Sequence, residues 1–165
     1  MGRGGSKMQP FPAFQASMLA LRDQCRRART FKFQAMGDAE WSLVKDIFTG
    51  IKVMATRTRL VGHSKVLAHV CPGIVPPIDR EYTLRHLKGT TSIRNGLESG
   101  WILMREIIGD FFIPVASDPE FRRQAESWVA EQGLFPWDTS LFKVIDNLVI
   151  GAVKANPRLP RSSSG

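Results

Sequence analysis

Apolar residues along this chain recur at intervals of three and four, a rhythm that predicts helices and no strand. Phe14, Met18, Leu21 and Cys25 share one face of a segment over 14–28, with arginines on the other side. Trp41, Val44, Phe48, Ile51 and Ala55 form a stripe over 39–56 that starts after Asp38. Ser64 caps a short helix carrying Val66, Leu67 and Val70, which Pro72 and Gly73 close. Asp79 follows Pro76-Pro77-Ile78 and is placed to cap a helix over 80–88. Leu97, Trp101, Met104, Ile108 and Phe111 trace a further helix over 98–112. Asp118-Pro119 opens one that reaches Gln132, ahead of Gly133. Thr139 opens the last, with Leu141, Val144, Ile145, Leu148 and Ala152 on one face. The expected fold is all-α, a compact single-domain bundle of about seven helices over 13–155.

Outside the bundle, residues 1–12 are rich in Gly and Pro and residues 156–165 end in Arg-Ser-Ser-Ser-Gly. Both are expected to be disordered tails. Hydrophobic residues make up 43% of the chain and charged residues 23%, which excludes a disordered or collagen-like protein. No apolar run approaches the length of a transmembrane span, and no signal peptide is evident, so no membrane partner is expected. Cys25 and Cys71 form no CxxC, which leaves neither a disulfide framework nor a cysteine zinc site. A reduced, cytoplasmic setting follows as the simplest expectation.

Charge changes the picture more than composition does. The net charge is +8, and residues 1–95 hold sixteen Lys/Arg against six Asp/Glu, whereas residues 96–165 hold seven against nine. A segregated positive field attracts polyanions, nucleic acid above all. The stretch 57–88 collects chemistry inside that basic half. A tight turn is expected at Leu60-Val61-Gly62, with Gly62 allowing close backbone approach and a helix beginning at Ser64. Amides at a helix start suit a phosphate oxygen, and Arg57, Arg59, His63 and Lys65 surround the turn.

Val61-Gly62-His63-Ser64, followed by Ile78-Asp79-Arg80-Glu81-Tyr82, resembles the helix-hairpin-helix DNA glycosylase superfamily of base-excision enzymes. The matching element would span 41–72. The resemblance implies DNA contact through a hairpin at 57–65, carried by Arg57, Arg59, Gly62, His63, Ser64 and Lys65. It also implies a catalytic Asp79, whose carboxylate stabilises the cationic sugar formed when a base leaves, the work of a DNA N-glycosylase-like hydrolase. Leu60 stands where that family's first hairpin glycine belongs, and Arg59 where its proline belongs. Ser64 occupies the position of the lysine in lyase-active members, with Lys65 one residue later.

Plainer readings stand beside these. Asp79 can be a helix cap and nothing more, and Gly62 can simply end a helix. His63, His69, Cys71, Asp79 and His86 match no common zinc spacing, so no metal or cofactor is expected. Trp101, Phe111, Phe112, Trp128, Phe135, Trp137 and Phe142 lie in the near-neutral half, where helical spacing reads as core. Asp146 and Asn147 inside an apolar helix signal either a buried polar network or a surface stripe. The competing function is a non-enzymatic helical interaction module whose aromatic half packs on a partner or forms a homo-oligomer.

Overall fold

The computed structural model describes residues 7–156, and within them the fold is all-α. The helices are α1 (Phe11–Ala20), α2 (Arg22–Ala28), α3 (Asp38–Gly50), α4 (Leu60–Val70) and α5 (Arg85–Lys88). They continue with α6 (Leu97–Ile107), α7 (Ile113–Ser117), α8 (Pro119–Ala130) and α9 (Leu141–Ala155). Every segment expected to be helical contains helix, although the ends move. The stretch 14–28 starts at Phe11 and breaks at Leu21, between α1 and α2. Among the described residues no helix is long and apolar enough to cross a membrane.

The expected N-terminal tail is ordered from Lys7 onward. Gln9 N–H donates to Val53 O at 2.9 Å and Ala55 N–H to Lys7 O at 2.8 Å, stitching the two segments together. Pairing with the extended 51–59 connection gives these backbone groups partners that a free tail lacks. The tail expected over 1–6 lies outside the described residues, as does 157–165 of the tail expected at the other end.

Asp118 behaves as its sequence predicts: Oδ1 accepts from Phe121 N–H at 2.8 Å and Pro119 opens α8. Helix α6 does not stop at Phe112. It passes through a widened π-helical turn (Ile108–Phe112) into α7, with Ile113 N–H bonding back to Ile108 O. Pro114 supplies the physical reason. It has no amide hydrogen, and its ring crowds the preceding turn, so that turn opens by one residue. The apolar stripe is displaced in consequence. Of the two phenylalanines expected in the core, Phe112 is sealed inside, with Ala116 after it, and Phe111 is half-buried against the core's edge. A second widened turn, Arg80–Leu84, leads into α5.

One core joins these elements. Ile47 and Phe48 of α3, Leu60 and Leu67 of α4, and Met104 and Ile107 of α6 are fully buried within it. Phe142 of α9 bridges Phe33 and Phe112, with ring centroids 5.5 Å from each. The Pro-rich segment after α4 belongs to the core as well, through Ile74, Val75 and Ile78.

Candidate functional site

The tight turn expected at Leu60-Val61-Gly62 does not form. These residues are the first turn of α4, and the real connection from α3 runs through 51–59. Helix and hairpin are thus redistributed within 41–72. The cause lies in packing: Leu60 is fully buried, and its backbone lies against Gly100 of α6. Gly62 serves close approach, but of a side chain. A Cβ there would sit 2.4 Å from Met54 Sδ, so the glycine makes room for a methionine of the connection. Gly62 therefore lies under Met54 rather than under a phosphate.

His63 and Ser64 also face inward, contrary to the expected phosphate contacts. His63 is 1% exposed, and its Nδ1–H donates to Phe48 O at 2.7 Å. A carbonyl only accepts, so the proton is on Nδ1 and Nε2 is left as a buried acceptor without a partner. Burial pushes the imidazole below its ordinary pKa, the Phe48 carbonyl opposes this, and Arg59 adds to it. A neutral, enclosed ring is the result. Ser64 Oγ donates to Val61 O and accepts from Ile78 N–H, both at 3.1 Å, and so ties α4 to the Pro-rich segment. Arg57 is exposed, and its carbonyl accepts from Gly96 N–H at 2.9 Å; Arg59 immediately precedes α4 and is half-buried.

Lys65 and Asp79 are the expected site residues that the fold brings together. Lys65 Nζ lies 3.7 Å from Asp79 Oδ2, with the two side chains 53% and 33% exposed. Asp79 Oδ1 accepts from Glu81 N–H at 2.8 Å and Tyr82 N–H at 3.4 Å, so the aspartate caps the widened turn that begins at Arg80. One carboxylate oxygen holds the helix start; the other faces Lys65.

A second charge pair stands nearby on α9. Lys143 Nζ meets Asp146 Oδ2 at 2.6 Å, and the Asp146 side chain is almost wholly buried. Burial raises the Asp146 carboxyl above its ordinary pKa; Lys143 pulls it back, and the Asp79 charge pushes it up again. The two readings of Asp146 and Asn147 divide between the residues: Asp146 is buried and paired with Lys143, whereas Asn147 is half-buried at the edge of the helix. Asn147 Nδ2 donates to Asp138 Oδ1 at 2.7 Å and to Trp137 O at 3.3 Å, clamping the 131–140 loop onto α9.

Between α4 and α9 that loop walls a cleft of about 430 Å³, lined by Lys65, His69, Pro77, Trp137, Ser140 and Lys143. Trp137, expected in the core, is 76% exposed. The flanking Gly133, Pro136 and Asp138 were the signal for a loop, and helical spacing does not apply inside one. Ser140 caps α9 by accepting from Lys143 N–H at 3.1 Å, and no acidic residue occupies the first turn. The positive end of α9 therefore opens on this cleft without a local counter-charge on its own turn.

Two further grooves adjoin the cleft. One, of about 470 Å³, shares His69; Phe14, Met18, Val66 and Val70 supply its apolar lining, and Arg22, Arg26 and Arg29 its charge. The other, of about 690 Å³, shares Arg29 with that groove and Thr139 and Ser140 with the cleft, and adds Lys32 and Arg122. Among the described residues lining all three, the acidic one is Glu126, and Arg122 Nε holds its Oε1 at 2.8 Å.

The cysteines are poor nucleophiles. Burial raises both thiols, Cys71 to about 12, so neither forms a thiolate readily near neutral pH. Among the described residues no cluster of His, Cys, Asp and Glu has the arrangement of a metal site. Compared with known proteins, the chain matches no family model, no curated protein and no solved structure.

Proposed function

We propose that this protein binds nucleic acid, and that its contact surface is the run of grooves joined at Arg29, His69 and Ser140. The observation that carries this reading is the lining. Arg22, Arg26, Arg29, Lys32, Lys65, Arg122 and Lys143 line three connected depressions; Arg26, Lys65, Arg122 and Lys143 each have a carboxylate within 4 Å, so among the described residues the uncompensated charge of the path lies on Arg22, Arg29 and Lys32. Such a surface suits a repeating anion better than a single small one, because its charges are spread along a path. The expected 57–65 contact shrinks accordingly to Lys65, since Gly62, His63 and Ser64 are occupied by internal packing and Arg57 and Arg59 line none of the three grooves.

The test is fluorescence anisotropy with labelled oligonucleotides over a salt series. Roughly four phosphate contacts imply about a hundredfold loss of affinity between about 50 and 200 mM salt. Arg26→Ala and Arg29→Ala should each weaken binding and flatten the salt slope, while Arg57→Ala should leave both unchanged. Absence of any salt-dependent binding would remove the proposal.

Base excision at Asp79 is a second, narrower reading, favoured by the oxygen that capping leaves free beside Lys65. Asparagine caps helices about as well as aspartate. Asp79→Asn thus removes the charge and retains the fold; unchanged release of bases from DNA by this variant would eliminate the catalytic role.

A further inference from the structure

We infer that Trp137 is a stacking platform for one unpaired base, so that the preferred ligand is a single strand. This rests on the nucleic-acid reading above and narrows it. A large aromatic side chain at 76% exposure loses hydrophobic stabilisation that burial would provide, and it stands beside two lysines and a histidine. Stacking surfaces on single-strand-binding proteins combine these two elements, an aromatic face and a positive groove that follows the backbone. Lys65 and Lys143 keep 53% and 30% of their side chains exposed while ion-paired, and the looser pair, at 3.7 Å, leaves Lys65 the better placed of the two to meet a phosphate.

The backbone that carries the platform is also held in place. Asn147 Nδ2 donates to both the Trp137 carbonyl and the Asp138 carboxylate, and Gln132 Nε2 donates to Asp138 O at 3.0 Å. A loop anchored at these points loses little freedom when a base arrives, which favours affinity. A cleft of about 430 Å³ falls within the range of small-ligand sites. Paired bases in a duplex expose only their edges, so stacking on Trp137 requires a base already out of the helix.

The experiment compares a short labelled oligothymidine strand with a blunt duplex of equal length, using the full chain. Expected are tighter binding of the strand and, for Trp137→Ala, a loss of about tenfold or more in strand affinity, the scale of one stacked base. Duplex affinity should be unchanged by that substitution, and Trp137→Phe should restore most strand binding. Asn147→Ala should weaken strand binding alone, because Asn147 positions the loop without touching the ligand. Equal affinity for strand and duplex, with Trp137→Ala silent, overturns the inference and leaves the nucleic-acid reading standing. Failure to bind either oligonucleotide defeats that reading itself. Concentration-dependent self-association in sedimentation that Trp137→Ala abolishes also overturns the inference, since the tryptophan would then face a second copy of the chain.

Discussion

Helix α4 meets two different surroundings along its length. Its first turn, with Leu60, Gly62, His63 and Ser64, is pressed between α3, α6 and the Pro-rich segment; Ser64 Oγ and His63 Nδ1 are spent on internal bonds, and His63 Nε2 is sealed in without a partner. Lys65 and His69, on the other face, line open grooves whose charges remain partly hydrated. Both regions carry polar residues on an apolar helix. They differ in what lies opposite. Neutral polar groups sealed in a core serve packing, whereas Lys65 and Lys143, each paired with an aspartate, keep part of their side chains at the edge of a cleft beside an exposed tryptophan.

This comparison is open to attack from both sides. The largest expected effect is at His63, where truncation to alanine opens a core cavity and removes the bond to Phe48. Urea unfolding should show a loss of about 3 kcal/mol. Gly62→Ala comes next, at about 2 kcal/mol, because Met54 must move from its buried place. In a Met54→Ala background most of that additional loss should vanish, which tests the contact itself.

Acidity separates the two regions in a different way. The folded-state pKa of His63 lies below its unfolded value, so the unfolded chain takes up the proton first. Stability should therefore fall as pH drops below about 6.5, and a His63→Leu variant should lose this dependence in urea titrations. Asp146 has the opposite displacement: its folded pKa is raised, so ionisation at neutral pH is unfavourable for the folded state. Asp146→Asn should unfold at higher urea than the parent at pH 7. The gap should close as the medium is acidified into the ordinary carboxylate range. The smallest effect belongs to Trp137→Ala, within about 0.5 kcal/mol for so exposed a side chain. A large destabilisation there would erase the distinction between the two regions.

The helical segments were legible because three- and four-residue spacing is a local signal that survives almost any tertiary arrangement. Asp118-Pro119 and Asp79 were readable for the same reason, since capping concerns neighbours in the chain. The start of α4 was not. Whether Leu60-Val61-Gly62 turns or coils depends on packing against Gly100, some forty residues away, and on how the 51–59 connection folds Met54 back over Gly62, and neither is visible to a local pattern. Lys65 and Asp79 were identified, and their neighbourhood was missed: Lys143, Asp146 and Trp137 arrive from the near-neutral half through the packing of α9. The candidate surface thus combines both halves, although charge counting divides them.

The widened turn at Ile108–Phe112 works as a phase shifter. An ordinary α-helix advances by roughly 100° per residue. One residue removed from this stretch would rotate Ile113–Ser117 by that angle, swing Ala116 outward, and aim the whole of α8 elsewhere. The chain length between Met104 and Asp118 is in this sense a gauge block. Substitutions there are expected to be far better tolerated than any single insertion or deletion.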